Sequence, residues 1–333
     1  LATVLRTRRA GDVVGVVDFM TLSAARAFKR AGVAYFVTHP LPTDDLAAFG
    51  CDGVPIPSFF VLFMYVVFRV VPSMRTMMGE FRAGVKEVVD SSRGVFASCL
   101  APADAFGCVP LRSSPRMHYV HTFSPATDAA RLDGFLDAQP AARAFLASKK
   151  PLVVFGGSSI PAQSLTAFGL ATMLGALRRA RDEWNVILKI VHAPTFLDAL
   201  QKCGVDDLER EADWLLALDW IPQANLLDRA AAFVSHMGWN STCEALQRGV
   251  PMLACPIGVD QPMNAHHVTN LGVAVALETH DPAYPLHPGT VEAIEHRAPE
   301  RITETEVLAK LRALVAPDSP YRAAARAVRS EHF

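Results

Sequence analysis

Long apolar runs, an excess of one charge and paired cysteines are all missing from this sequence. The longest hydrophobic stretch, FFVLFMYVVF at 59–68, stops at Arg69. A bilayer-spanning helix needs roughly 20 such residues, so the stretch is expected to be a core helix or the wall of an apolar pocket and not a transmembrane segment. Lys and Arg number 32 against 33 Asp and Glu, a formal net charge of −1. That balance lacks the basic footprint of a nucleic-acid-binding protein. The six cysteines, Cys51, Cys99, Cys108, Cys203, Cys243 and Cys255, form no CxxC pair and no metal-ligand spacing. Isolated thiols in a reducing compartment such as the cytoplasm are the expectation, with neither a disulfide framework nor a metal centre.

What is present is a chain of 333 residues, 51% hydrophobic and 20% charged, too long for one ordinary core and suited to two domains. DVVGVVDF (12–19) reads as a buried strand, MTLSAARAFKRAG (20–32) as a helix closed by Gly32, and VAYFVTHP (33–40) as a second strand. This β-α-β unit implies parallel strands with a right-handed crossover. After an irregular Pro-rich section and a helical stretch to about Asp90, GVFASC (94–99) is another strand. Residues 124–150 are polar and Ala-rich, and read as a linker with one helix. From Pro151 a second alternating series begins: strands at PLVVFGG (151–157), NVILKIV (185–191), WLLALDW (214–220), AAAFVS (230–235) and PMLACP (251–256). The expected fold is α/β, with two doubly wound parallel-sheet domains at 1–123 and 151–333 joined by 124–150.

Ligands of such sheets bind beyond the carboxyl ends of the strands, so chemistry is sought in the turns there. In HMGWNSTCEALQRGVP (236–251), Gly238 and the amides after it open a helix. Unpaired N–H groups and the macrodipole at that end favour an anion. Asn240 and Ser241 add neutral donors for phosphate oxygens, and His236 another hydrogen bond. Ser241 and Glu244 also match the S-x-x-E capping box, a purely structural alternative. Glu244 would repel phosphate but accepts well from a diol; an anion beside a diol describes a nucleotide. DWIPQ (219–223) presents Trp220 for base stacking or as a half-buried core ring. GVDQPMNA (258–265) sets Asp260 and Gln261 side by side, as a fork for sugar hydroxyls or as a helix start with Pro262 just inside. FGGSS (155–159) is a Gly-rich turn that allows close approach of a phosphate, although it is neither G-x-G-x-x-G nor a Walker loop.

Residues 220–265, from WIPQ through HMGWNST to DQPMNA, resemble the signature of the UDP-dependent glycosyltransferases, most closely its plant secondary-product form. The resemblance implies the GT-B fold, two Rossmann-like domains, and metal-independent, inverting transfer of a sugar, glucose first among candidates, from a UDP-sugar to an acceptor hydroxyl. Carried onto matching positions, Trp220 would stack on uracil, Ile221 would touch it through its backbone, and Gln223 would join the nucleotide set. Glu244 would hold the ribose. His236, Gly238, Asn240 and Ser241, with Gly157 and Ser158, would hold the diphosphate. Trp239, Asp260 and Gln261 would face the sugar. No cofactor is implied, since the UDP-sugar is itself a substrate. Trp220 and His236 stand closer together than in plant members, and FGGSS replaces the frequent FGS.

Family members place a general-base histidine in the first loop, and DVVGVVDFM resembles the later strand bearing its acidic partner, which maps onto Asp18; an N-cap role is the alternative there. No histidine precedes Asp18. The chain is therefore expected to be truncated at its N-terminus, with the first sheet incomplete and acceptor activation impaired. The apolar PIPSFFVLFMYVVFRVVPSM lies where the family builds its acceptor side, suggesting a small hydrophobic alcohol or phenol. Two rival readings are a non-catalytic UDP-sugar-binding subunit completed by a partner chain, and a GT-B-type UDP-sugar epimerase. A membrane-associated full-length form is compatible with the sequence.

Overall fold

The structure, a computed structural model, describes residues 9–18, 22–39, 87–88, 90–98, 117–120, 127–157, 165, 167–256, 261–277 and 302–333. The apolar stretch at 59–68 lies outside them. The chain divides into two compact units, Leu1–Phe123 and Ser124–Phe333.

In the first unit, β1 (Val14–Asp18), α1 (Leu22–Arg30), β2 (Ala34–His39), β3 (Val95–Ser98) and β4 (Met117–Val120) form a parallel sheet in the order β1-β2-β3-β4. β4 did not stand out in the sequence, since MHYV has only four residues and a histidine among them. Alternation along β1 buries Gly15 and Val17 while Val14 and Val16 are exposed. Gly15 is needed for packing: a Cβ there would meet the Phe28 ring of α1 at 2.8 Å. Asp18 and His39 end their strands on the carboxyl edge, where Asp18 is in register with Thr38.

The second unit opens with α2 (Ala129–Ala138) and α3 (Pro140–Ala147). Two helices thus stand where the sequence suggested a linker with one. The cause is Pro140, which disfavours helical geometry at the residue before it; Gln139 accordingly takes φ −130° and ψ 77°. Both helices pack into this unit through buried Phe135 and Phe145. Asp128 caps α2 with its side chain, and its carbonyl accepts from Asn225 Nδ2 at 3.0 Å.

The chain continues through β5 (Leu152–Gly156), α4 (Ala167–Arg179), β6 (Asn185–Lys189), α5 (Ala193–Lys202), β7 (Leu215–Leu218), α6 (Gln223–Leu227), β8 (Ala230–Ser235), α7 (Trp239–Arg248), β9 (Met252–Ala254), α8 (Gln261–Asn270), β10 (Ala274–Ala276), α9 (Glu304–Val315) and α10 (Pro320–His332). Its sheet has the order β10-β9-β8-β5-β6-β7, with every pair parallel. Counted from its own first strand this is the 3-2-1-4-5-6 arrangement of dinucleotide-binding sheets. β5 is buried along its whole length, as a strand covered on both faces must be. Helices pack over it in a core that includes Trp184, Trp214, Leu174, Val186 and Leu311. Strand order reverses between β5 and β8, so the crevice for a ligand is expected at the carboxyl ends of these two, at Gly156 and Ser235.

Candidate functional site

At the reversal point, β8 runs into α7 through a strained turn. Met237 adopts φ 68°, in the left-handed region, which costs a side-chain-bearing residue about 1–3 kcal/mol unless its surroundings enforce it. Here they do. The Met237 side chain is fully buried, its amide donates to Ser235 Oγ at 3.0 Å, and its carbonyl accepts from Asn264 Nδ2 of α8 at 2.8 Å. Gly238 follows with no room for a side chain, because a Cβ would collide with His236 Nε2.

The helix that follows is not started by a capping box. α7 begins at Trp239 with Gly238 as N-cap and no side-chain cap bond, three residues earlier than the Ser241–Glu244 pattern implied. Ser241 and Glu244 are engaged elsewhere. Gln223, on the first turn of α6, donates from Nε2 to Ser241 Oγ at 3.1 Å and to Glu244 Oε2 at 2.8 Å. Its Oε1 lies 2.5 Å from where a Gly156 Cβ would be. One side chain from WIPQ therefore touches both the strand end of FGG and the helix start of HMGWNSTCE. α7 starts beside the crevice without a side-chain cap, and a helix start of this kind favours an anion.

Trp220 ends the segment after β7 with 48% of its surface exposed, next to Ile221, which is 5% exposed and anchors the turn in the core. The Arg131 guanidinium of α2 sits over the Trp220 ring, 4.9 Å from its centroid. Phe135, one turn further along α2, meets the same indole at 70° with centroids 6.2 Å apart.

His236 is kept neutral. Burial pushes its pKa down to about 4, against an opposing pull from the Gly156 backbone and with some help from the Lys189 charge. It borders a small pocket at the ends of β5 and β6, lined also by Gly157, Lys189, Val191, His192, Thr195 and Cys255. A Cβ on Gly157 would collide with Val191. Burial also raises the thiol pKa of Cys203 and of Cys255, more strongly in the second, so neither favours its thiolate form.

The structure thus gathers Gln223, Ser241, Glu244, His236, Gly238 and Gly157 around the ends of β5 and β8, with Asn240 exposed on the first turn of α7. Trp239 and Gln261 are placed otherwise than a sugar-facing role suggests. The Trp239 indole is 4% exposed and lies beside His267 of α8, and Gln261 is 1% exposed. Both side chains are thus buried, Trp239 against α8. Ser158 and Asp260 lie outside the described residues, and Asp18 is described only as the last residue of β1. Sequence reasoning missed Arg131, hidden in the supposed linker, and Asn264, quoted in DQPMNA but given no task.

The geometry can be set beside known proteins. Residues 195–283, which hold most of this constellation, match the family model for UDP-glucoronosyl and UDP-glucosyl transferase. Over that segment the chain is similar to the UDP-glycosyltransferases. A phloretin 2'-O-glucosyltransferase of Malus domestica is 31% identical over 199 residues, 52% of this chain and 39% of that protein. A cyanidin-3-O-glucoside 2-O-glucuronosyltransferase of Bellis perennis is 41% identical over 71 residues, 20% of this chain and 16% of that protein. The chain thus spans well under half the length of these curated UDP-glycosyltransferases. Among solved structures, a protein of O. sativa in complex with UDP aligns at TM-score 0.65 and 19% identity, over 99% of this chain and 74% of that one. A transferase of Siraitia grosvenorii in complex with UDP aligns at TM-score 0.64 and 17% identity, over 96% and 73%. These alignments identify the fold as GT-B. Among the described residues, no helix is long and apolar enough to cross a membrane.

Proposed function

We propose that the second unit binds the UDP of a nucleotide sugar, and that the whole protein transfers the sugar, glucose first among candidates, to a hydroxyl of a small hydrophobic acceptor with inversion at the anomeric carbon. The observation that carries this reading is the Gln223 bridge to Ser241 and Glu244 beside an uncapped helix start, inside the segment that matches the family.

In this reading the α7 amides, Asn240, Ser241, neutral His236 and the Gly157–Ser158 turn meet the diphosphate. Glu244, one oxygen already held by Gln223, accepts from the ribose hydroxyls. Trp220 stacks on uracil, and Asp260 and the start of α8 approach the sugar. The acceptor oxygen attacks the anomeric carbon from the face opposite UDP, and the bond from that carbon to the β-phosphate oxygen breaks. UDP leaves with the electron pair, and the acceptor proton passes to a base that Asp18 orients. Charge growing on the leaving phosphate is stabilised by dipoles fixed in advance, a contribution that needs no reorganisation during the reaction. The donor is a substrate, and the reading calls for no cofactor.

Calorimetry with UDP, followed by UDP-glucose with a panel of phenols and apolar alcohols, tests it. UDP binding that weakens in both Asn240→Ala and Glu244→Ala, with a β-linked product from the α-linked donor, is the expected result. Absence of UDP binding overturns the reading.

A further inference from the structure

The contact between Arg131 and Trp220 has no counterpart in the nucleotide set described above. Arg131 lies on the first turn of α2, exposed to solvent, with its guanidinium 4.9 Å from the centroid of the indole. Phe135 stands four residues along the same helix and touches the same ring. Residues four apart lie on one face of a helix, so both approach Trp220 from the α2 side. Trp220 nonetheless keeps 48% of its surface in solvent, enough to offer a ring face to a ligand. α2 is itself fixed to the site: its N-cap residue Asp128 accepts through its carbonyl from Asn225, two residues beyond Gln223.

We propose that Arg131 is a positioning residue for base recognition: from α2 it holds the Trp220 indole by a cation–π contact so that the opposite face is presented to the uracil ring. This rests on the reading that UDP binds the second unit. An unsupported indole at the end of a turn samples several rotamers, and ordering it on binding opposes affinity. A guanidinium stacked on one face restricts those rotamers beforehand and leaves the other face to the base. Arg131 does not touch the nucleotide. Its effect therefore depends on Trp220 and on the presence of a base.

The test compares UDP with inorganic diphosphate, which has no base, as calorimetric ligands of the full chain. Trp220→Ala should weaken UDP about ten-fold or more, and Arg131→Ala about two- to five-fold, while diphosphate affinity stays unchanged in both. In the Trp220→Ala background, Arg131→Ala should have no further effect. Thermal unfolding of each variant confirms that the exposed Arg131 site leaves the fold intact. Unchanged UDP affinity in Arg131→Ala would overturn the proposal. So would tighter UDP binding, which would mean that the guanidinium occupies the face meant for the base. Equal weakening of UDP and diphosphate would also overturn it, by reducing Arg131 to a general attraction for anions. If the unaltered protein bound no UDP, this proposal would fall with the underlying reading. If Trp220→Ala weakened UDP and Arg131→Ala did not, only the Arg131 proposal would fall.

Discussion

The side-chain amide of Gln223 donates to Ser241 Oγ and Glu244 Oε2 together, at 3.1 Å and 2.8 Å, across 18 and 21 residues of sequence. Both acceptors sit on α7 and the donor on α6, so a single group sets the spacing of two elements that border the crevice. Removing it in Gln223→Ala leaves a partly buried carboxylate without this donor, a loss worth about 1–3 kcal/mol. The variant should unfold at lower urea and bind UDP roughly ten-fold more weakly. Gln223→Glu, which places a carboxylate against Glu244, should be worse on both counts. Paired urea titrations and calorimetry would show whether the bridge has this importance.

The glycines around the crevice should tolerate no side chain. A Cβ on Gly156 would lie 2.7 Å from the Phe233 ring, and Phe233 is fully buried and cannot retreat. Overpacking of this kind costs about 1–3 kcal/mol. Gly156→Ala should therefore lower the melting temperature. Gly238→Ala would instead push against the His236 ring at the border of the crevice, so it should impair UDP binding as well as stability. Measuring both properties in both variants separates the two effects.

His236 should make stability depend on pH in mildly acidic solution. Its folded pKa of about 4 lies below the ordinary histidine value of 6.5, so the unfolded chain takes up the proton first. The stabilisation is fully present above about pH 6.5, falls as pH drops toward 4, and levels off below that. The linkage amounts to about 3 kcal/mol at most. Urea midpoints measured from pH 7.5 to 4 should decline for the native sequence and decline less for His236→Gln.

Asn264 should matter more than its place inside a helix suggests. Asn264→Ala deprives the buried Met237 carbonyl of its 2.8 Å bond and releases a left-handed residue that needs enforcement. A loss of about 1–3 kcal/mol is expected, with faster hydrogen exchange at the amides of residues 238–241. Unchanged exchange there would mean that the turn holds itself.

Much of this architecture could be read in advance because buried parallel strands are short apolar runs. VGVVD, LVVFG and AAAFVS all stand where alternation and composition place them. β10 is a three-residue AVA and did not register, since a segment that short has no period of its own. The helix opening at Gly238 was legible in the sequence, but the Ser-x-x-Glu pattern offered a capping box as an alternative that the structure does not use. Nothing local reveals that Gln223, far off in sequence, takes both side chains. The signature residues were recognisable as a set, yet burial distinguishes them: the side chains of Trp239 and Gln261 are buried, while Asn240 is exposed. Arg131 had no sequence signal, because a cation above an aromatic ring is a product of tertiary arrangement.

The hydrogen bond from Asn225 to the Asp128 carbonyl also bears on where the second unit starts. A cut just ahead of β5, which the strand pattern invites, would remove Phe135 and Phe145 from beneath their neighbours and leave the Asn225 amide facing water. A polypeptide meant to carry the crevice of the second unit alone must therefore begin upstream of Thr127, and one that begins at Pro151 should come out of the cell insoluble.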